Sequence, residues 1–323
     1  MAECKTCQAT IERVDVKTGF VCNNRCRFCV QGNKRFEYGN KTTAEVEETL
    51  RQARTDADSI VFTGGEVTIR EDFLHLVRYA KSLGFRTIQV QTNGRMLAYK
   101  KFCEQVIEAG ANEFSPALHG HTPELHDFLT NGKGAFKQTV QAIINLKNLG
   151  QPVITNTVIT RSNYRHLADI AKVFLSLHVD QFQFAFVHPT GTVEEYFVSV
   201  VPRMTLIAPH VHKALSVGAR AGVVALTEAI PYCFMKGYER CVAEQYIPRT
   251  KIFDASFVLD DYTHFRLTEG KAHGPQCVEC SWFDVCEGPW REYPAQYGWD
   301  EFVPRTDPCT IVNRLAGPES KAP

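Results

Sequence analysis

The chain has 323 residues, 36 Lys and Arg against 36 Asp and Glu, and 44% hydrophobic content, enough for one barrel-sized domain or a domain with a small appendage. The neutral balance and 11% aromatic content exclude bulk disorder and give no electrostatic reason to expect nucleic acid or an anionic membrane as partner. No apolar run approaches the roughly 18 residues of a membrane span, and the opening MAECKTCQATIERVDVK lacks an apolar signal core, so the expected compartment is the cytoplasm.

From about residue 43 the pattern alternates between helix and strand. AEVEETLRQAR (44–54) reads as a helix and SIVFTGG (59–65) as a buried strand ending in glycines. EDFLHLVRYAKSLG (71–84) puts apolar residues on one helical face before a Gly stop. Strands are expected at 87–94, 112–120, 152–161, 181–189 and, more weakly, 222–228. Helices are expected at 96–109, 135–150, 166–177 and 204–220. Repeated βα units with right-handed crossovers predict a parallel sheet, and so many in succession favour an α/β partial (β/α)6 TIM-like barrel over a doubly wound open sheet. The expected layout is an N-terminal Cys-containing segment (1–14), a barrel (15–230), and a Cys-rich region (231–323) forming a small metal-stapled extension. Ligands should bind at the strand C-terminal ends.

Twelve cysteines beside four methionines are too many for packing filler. A chain of this size without an export signal does not suggest disulfides, so close spacing reads as metal ligation. Cys22, Cys26 and Cys29, in CNNRCRFC, can hold three irons of a cubane and leave the fourth open to a small chelating molecule, where four thiolates would suit plain electron transfer. Zinc is the competing reading, although it usually takes CxxC pairs and four ligands. Thr63-Gly64-Gly65-Glu66 follows at a strand end, where glycines admit a ligand to the backbone and Glu66 offers an acceptor for an ammonium group.

These two motifs, in this order, resemble the radical S-adenosylmethionine (SAM) superfamily, nearest to the branch of molybdenum-cofactor, pyrroloquinoline-quinone and peptide-maturing enzymes. The resemblance implies a [4Fe-4S] cluster on Cys22, Cys26 and Cys29 whose open iron binds SAM. Reduction then yields a 5′-deoxyadenosyl radical that takes hydrogen from a substrate. It further implies Phe28 beside the adenine, Gly64, Gly65 and Glu66 at the SAM amino group, and Ser115, Asn156 and Asn93 as other SAM contacts. The usual GGEP reads Gly-Gly-Glu-Val here, with Val67 in place of the stiffening proline.

Cys277, Cys280, Cys286 and the distant Cys309 resemble an auxiliary [4Fe-4S] cluster of the SPASM tail, with zinc again the competing reading. The further Cys of that tail is replaced by Trp290, which suggests a shortened, single-cluster "twitch" tail. Cys4, Cys7, Cys233 and Cys241 are the right number for another cluster. Cys233 is alternatively a catalytic residue facing substrate or an auxiliary-iron ligand, and Cys103 reads as a buried helix residue. His119, His121 and His188 stand at strand ends, as rim residues or proton carriers.

The resemblance also implies a low-potential electron donor such as flavodoxin or ferredoxin. Two substrate classes compete: a ribosomally made peptide, or a small metabolite held in the barrel. Only 21 residues precede Cys22, few for a folded leader-binding domain, which tips the expectation towards the metabolite. A non-enzymatic iron–sulfur carrier and a zinc-stabilised binding protein are the alternatives of another class.

Overall fold

In the computed structural model, residues 10–32 and 34–311 are described. The elements are β1 (Arg13–Lys17), α1 (Lys34–Glu37), α2 (Thr43–Asp56), β2 (Ser59–Thr63), α3 (Phe73–Ser82), β3 (Thr87–Thr92), α4 (Lys100–Ala109), β4 (Glu113–Pro116), α5 (Pro123–Thr130) and α6 (Ala135–Asn148). They continue with β5 (Ile154–Ile159), α7 (Leu167–Ser176), β6 (Gln181–Phe186), α8 (Thr192–Val200), α9 (Met204–Arg220), β7 (Val224–Glu228), β8 (Thr250–Phe253), β9 (Val258–Leu259), α10 (Tyr262–Phe265) and α11 (Glu292–Tyr297).

The first seven strands lie side by side in chain order and parallel. Val14 pairs with Ile60, Ile60 with Ile88, and Val90 with Phe114. Single bridges from Phe114 to Val153 and from Ala117 to Asn156 carry the sheet across to β5, and β6 and β7 continue it. On the other side of β1, β8 adds in parallel and β9 antiparallel. The sheet therefore curls into a partial barrel: β7 and β8 do not pair, and Glu239–Gln245 runs between them with Val242 bridging Thr227.

Alternation within the strands explains the two surfaces. Val14 and Val16 of β1, and Phe182 and Phe184 of β6, are wholly buried against the helical layer. Their neighbours Arg13, Asp15, Lys17, Gln181 and Gln183 face a cavity, as period-two side-chain geometry requires. The lumen-facing residues of β1, β3 and β6 are polar, whereas Ile154, Leu226, Ile252 and Phe257 add apolar wall elsewhere, so the lumen is mixed, unlike the apolar core of a closed barrel.

The region beyond 230 is less separate than the sequence suggests, because β8 returns to the main sheet. A buried ionic network fastens the rest. Arg266 donates twice to Glu287 (2.8 and 2.9 Å), and Lys271 Nζ donates to Glu287 (2.8 Å) and Glu244 (2.6 Å). Glu244 also accepts from the Ala229 amide just after β7.

Candidate active site

The three-cysteine loop leaves β1 and is held from several sides. Gly65 and Glu66 donate their backbone N–H groups to the carbonyls of Gly19 (2.8 Å) and Val21 (2.9 Å). A Cβ on Gly64 would meet Gly19 O at 2.2 Å, and Gly64 has φ +127°, so glycine is required there twice over. Arg95 Nη1 donates to the Asn23 carbonyl (2.6 Å) and to Asn24 Oδ1 (3.0 Å), and its Nε to Gln138 Oε1 (2.7 Å). Arg35 donates to the carbonyls of Asn24 and Gly32. The amides of Arg25 and Arg27 donate to the carbonyls of Thr130 and Leu129 at the end of α5 (both 2.9 Å).

Cys22, Cys26 and Cys29 are each half-buried. Burial pushes the Cys22 thiol up, reinforced by the charges of Glu66 and Cys29 and opposed by the Asn24 amide and Arg35. Cys26 is pushed up further, again by burial first and then by its two neighbouring thiols. Cys22 and Cys26 therefore keep their protons unless a cation replaces them. Four thiolates around one zinc stand about 3.8 Å apart. Among the described residues no three cysteine sulfurs lie within 4.8 Å of one another. Three thiolates on one loop are the donor set of a cubane with one open iron, whereas a structural zinc takes four ligands, so the set fits a cubane better than a single ion.

Glu66 is buried, and its carboxylate is occupied by the protein: Oε1 accepts from Thr68 and from Thr92 Oγ1 (2.6 Å), Oε2 from the Asn93 amide (2.6 Å). It joins the end of β2 to the end of β3. Asn93 Nδ2 donates to Asn23 Oδ1 (2.6 Å) and stands 4.0 Å from Cys22 Sγ. Phe28 is buried edge-on against His119, with ring centres 4.6 Å apart. Burial holds His119 well below the usual imidazole range, and its ring stacks on that of His126. It is a satisfied interior residue.

Ser115 and Asn156 line a cavity of about 1100 Å³, which Val30 and Gln31, just past Cys29, also border. Asn156 Oδ1 is buried without a hydrogen-bond partner, a polar group open to a ligand. Four carboxyls that the sequence reading missed, Asp15, Glu113, Glu228 and Asp254, sit on this wall. Burial pushes Asp15 up against the opposing charges of Arg13 and Lys17, and burial together with Glu244 pushes Glu228 up. For Asp15 and Glu228 the signal was the polar alternation of RVDVK and the terminal Glu of VALTE. Asp254, ending β8, is gripped by Lys17 and Lys34.

In the tail, Cys280 Sγ accepts from the Arg305 amide (3.3 Å), and Trp282 Nε1 donates to the Asp307 carbonyl (3.1 Å), bringing the Cys309 segment back to the other three. Burial pushes Cys286 up to about 11. Cys233 lies close enough to Cys286, Cys277 and Cys280 for their charges to raise its thiol after burial, and it is not part of the cavity wall, whereas Cys241 is. Cys4 and Cys7 lie outside the described residues. Trp290, where another Cys was considered, stacks on His188 with ring centres 3.8 Å apart. His188 borders the cavity, and Cys103 is buried in α4.

Residues 16–174 match the family described as the radical SAM superfamily. The chain is 29% identical over 182 residues to an AdoMet-dependent heme synthase of Oleidesulfovibrio alaskensis, covering 56% of this chain and 46% of the relative. It is 31% identical over 187 residues to a GTP 3′,8-cyclase of Aquifex aeolicus, covering 56% and 58%. These matches span about half of the relatives' own lengths. In three dimensions it resembles Streptococcus suis SuiB bound to precursor peptide SuiA, with a TM-score of 0.64, 14% identity, and coverage of 87% of this chain and 72% of that one.

Proposed function

Residues 16–174 of this chain are a radical SAM domain, and on that footing we propose a radical SAM enzyme that acts on a small polar metabolite in a biosynthetic pathway. The observation that carries the reading is the cavity that Val30 and Gln31, just past Cys29, border, with charged and amide side chains of β1, β3 and β6 on its wall. Its volume of about 1100 Å³ suits a nucleotide- or sugar-sized molecule together with part of SAM.

When bound, a [4Fe-4S] cluster on Cys22, Cys26 and Cys29 would supply the electron that cleaves SAM to the 5′-deoxyadenosyl radical, which takes hydrogen from the substrate. The chain's own residues do the positioning. Arg95, Arg35 and Asn93 hold the loop, while Ser115 and Asn156 offer polar groups to SAM from the lumen wall. Asp15 and Glu228, raised by burial, are placed to hold or move a proton near the substrate. Cys277, Cys280, Cys286 and Cys309, with Cys233 beside them, would hold the auxiliary [4Fe-4S] cluster.

A flavodoxin- or ferredoxin-like donor fits the loop's outer face. There Arg25 and Arg35 lie over the ring of Phe36, and Arg27 lies 4.4 Å over that of Phe128. Both rings are half-exposed or more. Such a basic, aromatic face complements an acidic electron-transfer protein. The free thiols suit a reducing compartment, so we place the protein in the cytoplasm, and no helix among the described residues is long and apolar enough to cross a membrane. A peptide substrate is the second reading, favoured by the fold shared with SuiB.

The test is anaerobic reconstitution with iron and sulfide, followed by dithionite and SAM. The expected result is about eight irons per chain and formation of 5′-deoxyadenosine. Cys26→Ala should abolish the cleavage and leave the tail's iron in place. A fully loaded protein that never cleaves SAM would overturn the reading in favour of an electron carrier, and zinc in place of iron in favour of a binding protein.

A further inference from the structure

Beyond the C-terminal ends of β4 and β5, two imidazoles and a carboxylate converge. His121 lies on the loop between β4 and α5, while His166 and Asp169 stand three residues apart at the start of α7. One ligand atom from each lies within 4.8 Å of the other two, and all three side chains are half-buried. The spacing of three on a helix puts His166 and Asp169 on one face, and the rings of His121 and His166 stack with centres 4.7 Å apart. His121 Nδ1 is enclosed and has no hydrogen-bond partner among the described residues. An enclosed ring nitrogen left unpaired is costly, and stacking two imidazoles does not repair it.

We propose that His121, His166 and Asp169 form a binding site for one divalent first-row cation that favours imidazole, zinc foremost. Two neutral imidazoles and one carboxylate are a ligand set that such ions take. An ion at about 2.0–2.2 Å takes ligand atoms about 3.3–3.6 Å apart, so atoms that already lie within 4.8 Å of one another reach it by closing about an ångström, within side-chain rotation. Lys172 competes for the site: its ammonium donates to Asp169 Oδ1 at 2.8 Å. Asp169 Oδ2 remains for the ion, or the flexible, exposed lysine swings away. The bound cation would staple the loop after β4 to α7. That loop carries His119, whose ring packs against Phe28 of the three-cysteine motif.

Full-length, cluster-loaded protein incubated with zinc chloride and desalted through a weak chelator is the material for the test. Wild type should retain about one zinc per chain with a nitrogen and oxygen shell at about 2.0–2.1 Å by X-ray absorption. The His121→Ala/His166→Ala pair should lose that zinc while iron stays unchanged. Lys172→Ala, which frees Asp169 and removes no ligand, should tighten zinc binding several-fold, so the proposal stays testable even where the double variant fails to fold. Equal zinc in wild type and the folded double variant, a sulfur shell at about 2.3 Å, or unchanged affinity in Lys172→Ala would each overturn it as an adventitious ion only.

Discussion

A Cβ on Gly65 would stand 2.3 Å from the Val21 carbonyl oxygen and 2.6 Å from the Phe20 carbonyl carbon. Both are backbone atoms of the segment leading to Cys22, so no rotamer change can relieve the clash. Gly65→Ala should therefore push the loop outwards, at a cost of roughly 1–3 kcal/mol in stability. Iron at the Cys22, Cys26 and Cys29 site should fall while the tail keeps its iron; full iron at both sites and an unchanged melting temperature would refute the argument. From sequence, paired glycines before a glutamate read as room for a ligand. The structure gives that room to the chain's own cysteine loop. Glu66 likewise turns inward onto Thr68, Thr92 and Asn93, a role that a string of letters conceals because two of these partners lie at the end of the next strand.

Among the elements, α5 was invisible to periodicity, as was α8. Each is short, eight and nine residues, and each starts soon after a strand end whose loop chemistry dominated the reading. β1 and β8 were missed for a related reason: RVDVK and TKIF are only five and four residues long and neither is an apolar run. The longer elements were legible, α9 over the whole of Met204–Arg220, because an apolar stripe repeated over several turns has few alternatives. α5 matters because its last carbonyls receive the amides of Arg25 and Arg27. Its His126 is wholly buried and accepts at Nδ1 from the His119 amide (3.0 Å). Burial pulls its pKa down to about 4. A base lowered on folding contributes stability above its unfolded value near 6.5, and that contribution is lost as pH falls towards 4. The loss should approach about 3 kcal/mol. His126→Asn keeps an acceptor for the His119 amide and cannot charge, so its denaturation midpoint should vary less between pH 7 and pH 4 than that of wild type. Parallel acid profiles for the two proteins would remove His126 as the cause.

At the scale of the whole molecule, the partial barrel leaves β7 and β8 unpaired, and the tail that would carry the auxiliary cluster must be locked across that gap. The Arg266–Glu287–Lys271–Glu244 network does this in near-complete burial. Glu287, next to Cys286, binds both cations and thereby joins the auxiliary cysteines to the end of β7 through Glu244. Burying four charges is not in itself stabilising, because the desolvation penalty rivals the attraction; removing one partner alone is severe, since it strands the others. Glu287→Gln leaves Arg266 and Lys271 facing each other with only Glu244 as a counter-charge, and should cost about 3–5 kcal/mol. Lys271→Met leaves Arg266 paired with Glu287 but strips Glu244 of its cation. The combination Glu287→Gln/Lys271→Met restores the charge balance around Arg266 and Glu244, so its cost should fall below the sum of the single changes. A double-mutant cycle by chemical denaturation, with iron content followed in the same samples, measures that coupling. Coupling of at least 1 kcal/mol is the expected sign of a shared network. Simple additivity, or tail iron retained in full by Glu287→Gln, would mean that the tail is held by its apolar contacts and not by these charges.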